Sequence, residues 1–178
     1  MNKIILSTLL NLFIVQFCYA QFKFKGTYGI AATASKFNVL VDKQLPDIKL
    51  IGGNLFYESP PNGEELDFRI EYTWSGNSTT EDIYQNFKFL YGARINEGNR
   101  FQIPAFLGLG INLTDNSDLN IFGFALKMGT QYYIGKKWGI FGEFGWDAIL
   151  SDFETQQNDA ILGASNVSFN VGFIFTNF

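Results

Sequence analysis

An all-β fold, an eight-stranded antiparallel up-and-down β-barrel, is what this sequence predicts. Three observations carry it. Apolar and polar residues alternate with period two over seven of eight separate stretches, the periodicity of a strand with two unlike faces. Only turns and polar loops join the stretches, with no helical periodicity between them, as in an antiparallel meander. Eight such strands close readily into a barrel, which removes exposed edges.

Composition agrees with alternation. The chain has 178 residues, enough for one domain. Phenylalanine occurs 20 times and aromatics make up 17%, yet the mean hydropathy is only +0.03. So much aromatic surface with a neutral mean implies that greasy and polar residues interleave. The formal charge of −4 argues against nucleic acid as a partner.

The chain opens with a stretch of a different kind. Lys3 precedes an apolar run from Ile4 to Phe17, and Cys18-Tyr19-Ala20 ends it with small residues at the two positions a signal peptidase reads. Residues 1–20 are therefore expected to be a secretory signal peptide cleaved after Ala20, and residues 21–178 a single barrel domain. A lipoprotein would acylate Cys18, but Gln16 and Phe17 before it are a poor match to the small residues such a site prefers. Cys18 is the one cysteine, so cleavage removes all thiol chemistry. Nothing after residue 20 has ~18 consecutive apolar residues, the length of a transmembrane helix.

Taken in order, residues 22–34 set Phe22, Phe24, Tyr28 and Ile30 against Lys23, Lys25, Thr27 and Gly29. Residues 48–57 are apolar but ambiguous in parity, and Gly52-Gly53 is expected to hold a bulge. The sequence ESPPNGE is an emphatic turn. Residues 65–74 alternate cleanly, with Phe68, Ile70, Tyr72 and Trp74 opposite Asp67, Arg69 and Glu71. After SGNSTTED, residues 83–95 set Phe87, Phe89 and Tyr91 against Lys88, Gly92 and Arg94, and NEGN turns the chain. Residues 101–113 alternate again but contain Pro104, which cannot donate to a sheet ladder; a bulge or a missing bond is expected there.

Beyond the loop TDNSD, residues 119–134 set Phe122, Phe124, Leu126 and Met128 against Gly123, Ala125 and Lys127. Gly-Lys-Lys turns into residues 138–150, WGIFGEFGWDAIL. One parity there is Trp138, Ile140, Phe144 and Trp146; the other holds Gly139, Glu143, Gly145 and Asp147. The loop SDFETQQNDA leads to residues 163–176, with Phe169, Val171, Phe173 and Phe175 on the apolar parity.

Parity alone does not say which face points inward. A secreted, soluble, lipocalin-like barrel binding an apolar small ligand would put the apolar face inside, with Phe144 and Trp146 in its core. A membrane barrel would put that face against lipid. Size favours the second arrangement. The interior of an eight-stranded barrel is just wide enough to be filled by side chains, and it would be overpacked by this many large aromatics, whereas the polar parity is rich in glycine and alanine. Charge points the same way. With Ile134 opposite Trp138, Lys127 falls opposite Gly145, and Glu143 and Asp147 flank it as diagonal neighbours. Buried charges must be paired, and Lys127, Glu143, Asp147, Asp67, Arg69, Glu71, Lys88 and Arg94 are expected to form an interior network of structural kind. Length fits too: ~11 residues at ~3.3 Å each, tilted ~40°, span about 28 Å, close to a hydrocarbon core. Phe124, Trp138, Ile140, Phe144 and Trp146 are then expected to face lipid, with Tyr72, Trp74, Tyr132 and Trp138 near the interfaces.

With FQIPAFLGLGI, the hairpin YYIGKKWGIFGEFGWD and the ending NVSFNVGFIFTNF, the mature chain resembles the OmpA-type, OmpX-like family of small outer-membrane β-barrels. The resemblance implies an eight-stranded transmembrane barrel of a Gram-negative cell envelope, without an appended periplasmic domain. It implies that both termini face the periplasm, and that residues 35–46, SGNSTTED, TDNSD and SDFETQQNDA are outer loops. It also implies that outer-membrane lipids and the barrel-assembly machinery are partners, the latter through Phe175 and the terminal Phe178. The match departs from the family where Asn177 stands in place of a second outward hydrophobe.

Catalytic chemistry is hard to build from this composition. The sequence has no histidine, so a site using Ser-His or Asp-His is excluded. Glu143 and Asp147 are the one carboxylate pair that acid–base work by a lipid-acting barrel enzyme could use. Two carboxylates beside a lysine are more often a structural network. The run Asp115-Asn116-Ser117-Asp118 lacks the spacing and distal glutamate of a calcium loop. No enzyme activity, cofactor or metal is expected, and the function implied is a structural or surface-interaction role in the envelope.

Overall fold

The computed structural model of the chain describes residues 25–39, 48–60, 66–77, 83–114, 122–149 and 164–177. They form eight strands: β1 (Gly26–Val39), β2 (Ile48–Glu58), β3 (Asp67–Gly76), β4 (Ile83–Ile95), β5 (Phe101–Thr114), β6 (Phe122–Tyr133), β7 (Trp138–Ile149) and β8 (Ala164–Asn177). Each pairs with the next and β1 pairs with β8, all antiparallel, so the sheet closes into a barrel. Closure gives every strand two partners, as the eight amphipathic stretches require.

Turn chemistry sets the register of the hairpins. Between β4 and β5, Asn96 and Gly98 take φ of 60° and 77°, the left-handed region that asparagine and glycine enter most easily. Between β6 and β7, the amides of Ile134 and Gly135 both donate to the Trp138 carbonyl, at 3.1 and 3.2 Å. This turn places Lys127 opposite Gly145, the register expected from the sequence. The last strand is tied to the same turn, since the Thr176 amide donates to the Lys137 carbonyl at 2.9 Å.

Three local expectations differ from what is observed or are narrowed by it. First, β1 runs to Val39, so residues 35–39, expected in a loop, extend the strand and pair with both neighbours where β2 and β8 reach them. Second, there is no bulge at Gly52-Gly53: β2 keeps one unbroken register with β1 and with β3. The two glycines serve close approach instead. A Cβ on Gly52 would lie 1.9 Å from the Trp74 carbonyl oxygen, and one on Gly53 would lie 2.2 Å from the Trp74 ring. Third, Pro104 interrupts the β5–β6 ladder without shifting it. Gln102 partners Gln131 and Ala105 partners Met128, with the two intervening positions unpaired. That is a gap left by a missing donor and not a bulge, which would change the register.

The polarity of the barrel is inverted relative to a water-soluble domain. Buried positions include Glu58, Asp67, Arg69, Glu71, Lys88, Arg94, Lys127, Glu143 and Asp147. Large exposed side chains include Phe89, Leu107, Phe124, Phe144, Phe169 and Phe173. The interior also holds apolar packing at two levels, Ala31, Phe56, Phe141 and Ile174 in one cluster and Leu90, Phe106 and Ala125 in another. Phe56 and Phe141 meet edge to face at 5.1 Å, a favourable ring geometry.

Candidate functional site

Inward parity on five of the strands builds one connected set of ion pairs along the barrel axis. At the end near Gly26, Arg94 on β4 meets Glu58 on β2 at 2.8 Å and Asp67 on β3 at 3.5 Å. Glu58 also reaches Arg69 at 3.5 Å. Arg69 passes the chain of contacts on to Glu71 at 3.0 Å and to Glu143 on β7 through both guanidinium nitrogens. Glu71 accepts from Lys127 at 2.9 Å and lies 3.4 Å from Lys88. Lys88 ends the column at Asp147, at 2.9 Å.

Neutral side chains extend the network. Gln131 donates to both Glu58 oxygens at 3.2 Å, Asn170 donates to Glu143 at 3.1 Å, and Asn166 donates to Asp147 at 3.2 Å. The Arg69 guanidinium also sits 3.7 Å from the centre of the Phe56 ring, a cation–π contact in a desolvated setting. Taking an ion out of water costs several kcal/mol, and only dense pairing of this kind offsets it.

Two features of the network were not visible in the sequence pattern. Glu58 belongs to ESPPNGE, which reads as a turn, yet it is the last residue of β2 and is fully buried. Extending the period from Asn54 and Phe56 by one step would have found it. Asp147 does not join Lys127 as the hairpin diagonal suggested; it engages Lys88, and Lys127 takes Glu71 and, at 3.6 Å, Glu143. Diagonal neighbours on a hairpin compete with groups from across the narrow lumen, and here Glu71 on β3 reaches Lys127 more closely. Thus Lys127, Glu143, Asp147, Asp67, Arg69, Glu71, Lys88 and Arg94 are all brought together, with Glu58 added.

The outward parity carries the other predicted set. Phe124, Trp138, Ile140, Phe144 and Trp146 are all exposed, Phe144 to 53%. Tyr72 stacks on Trp74 at 5.8 Å and meets Phe87 at 4.6 Å. Phe175 is outward, between Tyr28 and Trp138. Phe178, residues 1–20, expected to be a signal peptide, and the run Asp115–Asp118 lie outside the described residues.

Several solved structures share this architecture. Neisserial surface protein A aligns with a TM-score of 0.64 at 12% identity, covering 85% of this chain and 97% of that one. Outer membrane protein OprG from Pseudomonas aeruginosa aligns with a TM-score of 0.55 at 10% identity, over 86% and 97%. Ail, the attachment invasion locus protein of Yersinia pestis, aligns with a TM-score of 0.52 at 12% identity, over 85% and 99%. The chain has the fold of the small outer-membrane β-barrels. At these identities the likeness is one of fold. No protein-family model matches the sequence, and no curated protein matches it.

For an outer-membrane barrel fold, the arrangement of charge bears directly on chemistry. Every carboxylate in the column is at least nine-tenths buried and lies against a cation. An acid–base catalyst needs a carboxyl within reach of a bound substrate's proton; here Glu143 lies against Arg69 and Lys127, and Asp147 Oδ2 lies against Lys88.

Proposed function

We propose that this chain is a non-enzymatic integral β-barrel of the outer membrane of a Gram-negative-type envelope, with a structural or surface-interaction role. The observation that carries it is the inverted polarity: an ion-paired interior under an outward apolar band. In water such a surface would associate or aggregate; against hydrocarbon it is the required surface. Phe124, Trp138, Ile140, Phe144 and Trp146 then contact outer-membrane lipids. The soluble lipocalin-like alternative needs Phe144 and Trp146 inside, which is opposite to the facing described above.

In this proposal residues 1–20 are an export signal cleaved after Ala20, and both termini lie on the periplasmic side. The strand ends Val39, Ile48, Gly76, Ile83, Thr114, Phe122, Ile149 and Ala164 then lie on the outer side, and their connections present whatever surface a partner meets. Phe175 on the closing strand, and Phe178, are offered to the barrel-assembly machinery. The test is to express the full chain and follow it. It should fractionate with outer membranes, begin at Gln21, and in cold detergent migrate on gels differently from the boiled protein. A mature chain that stays in the aqueous fraction without detergent rules the proposal out.

A further inference from the structure

Among the described strand residues, the outward parity carries charge at one place. Lys36 on β1 and Lys49 on β2 are direct cross-strand partners, both are exposed, and both share the parity of Ile30, Ala34 and Ile51. The remaining charged residues of the strands are buried in the interior column. The two lysines stand near the end of the barrel opposite Gly26, three residues before the end of β1 and one after the start of β2. Toward mid-barrel they border apolar surface: Ile51 is 77% exposed, Ala34 is exposed beside it, and Phe169 on β8 is the cross-strand partner of Ala34.

We infer that Lys36 and Lys49 form a seat for the phosphate headgroup of a membrane lipid, whose acyl chains lie along Ile51, Ala34 and Phe169. The inference rests on the membrane placement proposed above and names which lipid chemistry this part of the surface takes. Directly opposed residues have Cβ atoms about 5 Å apart, so two ammonium groups on long, flexible stems can converge on one anion. Lysine stems near a membrane interface run along apolar surface and lift the charge to headgroup level. Lysine binds phosphate as a point charge, and basic residues at this depth attract anionic lipids. The apolar strip beneath the pair is continuous with the band proposed to face hydrocarbon, so a lipid satisfies both halves of the surface at once. A soluble anion would use only the upper half.

Trp146 provides the reporter. It partners Val167, which partners Lys36, so its indole lies two strand spacings away, about 10 Å. Replacing Trp74 and Trp138 with Phe leaves it as the single tryptophan of the three in the chain. The mature protein is folded into vesicles of phosphatidylcholine, or of equimolar phosphatidylcholine and phosphatidic acid, with bromine on the acyl chains of one lipid at a time. Quenching of Trp146 should report roughly a tenfold preference for brominated phosphatidic acid. Lys36→Gln/Lys49→Gln should bring the preference close to one while the gel mobility of the folded form is kept. Lys136→Gln/Lys137→Gln, in the exposed turn at the other end, should leave it unchanged. Preference that survives the first pair of substitutions, or equal quenching by both lipids in the parent protein, overturns the inference and leaves the membrane placement standing. No quenching by either lipid removes the placement as well. Glycerol phosphate in the buffer should not displace the lipid; if it does so at concentrations too low to screen charge, the seat takes soluble phosphate and the lipid assignment falls.

Discussion

Arg69 on β3 and Glu143 on β7 clasp each other across the interior, from strands on opposite sides of the eight-strand circle, through two hydrogen bonds, the longer 3.2 Å. Sequence neighbours on a sheet are held by the ladder, but this contact crosses the lumen and ties opposite walls together. Arg69→Met would leave carboxylates of Glu58, Glu71 and Glu143 buried with less compensation, at an expected cost of about 3–5 kcal/mol. Urea unfolding of the protein folded into vesicles, followed by gel mobility, measures it. Combining Arg69→Met with Glu143→Met should cost less than the sum of the single changes, with a coupling of about 1–3 kcal/mol. Additive costs would mean that the clasp contributes nothing of its own.

Glycines on the two parities of β7 should respond oppositely. A Cβ at Gly145 would meet Ser168 Oγ at 2.5 Å and the Lys127 stem at 2.9 Å, whereas a Cβ at Gly142 meets nothing within 4 Å. Gly145→Leu should therefore destabilise by overpacking, by about 1–3 kcal/mol or more, and disturb Lys127. Gly142→Leu adds an apolar side chain to the outward face and removes a weak strand residue, so it should be neutral or stabilising. Paired unfolding curves decide between this and the opposite facing, under which the two results exchange places.

The fold was legible because its signal is repeated. Phe68, Ile70 and Tyr72 against Asp67, Arg69 and Glu71 say strand, and six more stretches say the same with different residues. Facing was legible through size, since Gly139 and Gly145 suit a narrow lumen and Phe144 and Trp146 do not. Partners within the lumen were less so. The period assigns Lys88 and Asp147 to one face but does not say that β4 meets β7 across the axis. Glu58 was hidden by the Ser-Pro-Pro-Asn-Gly that follows it, because turn residues mask the end of a strand. Lys36 and Lys49 were hidden differently: the loop expected from residue 35 onward removed Lys36 from any face at all.

Phe144 sits mid-strand and 53% exposed, which makes it a sensitive probe of the outward band. Phe144→Arg should cost about 2–4 kcal/mol if that position lies near the bilayer midplane, and fall toward about 0–1 kcal/mol for Trp138→Arg at the strand end. Refolding yield and urea midpoints in vesicles give both numbers. Equal, small costs at the two positions would show that neither is in hydrocarbon.

Pro104 offers a test of the weakest point in the wall. The pairs on either side of the gap, Gln102 with Gln131 and Ala105 with Met128, lie in the same register, and the β4 side of Pro104 is paired to Arg94. Restoring an N–H at this position thus needs no slip of either strand. In Pro104→Ala the new bond should contribute about 1 kcal/mol, while the freer unfolded chain takes back about 0.4–1 kcal/mol. Global stability should therefore change little. The local effect should be plain, because opening of the ladder governs amide exchange there: Gly129 and Thr130 should exchange about fivefold more slowly, with distant strands unaffected. Unchanged exchange at Gly129 and Thr130 would mean that the gap belongs to the β6 backbone and not to the missing proline donor.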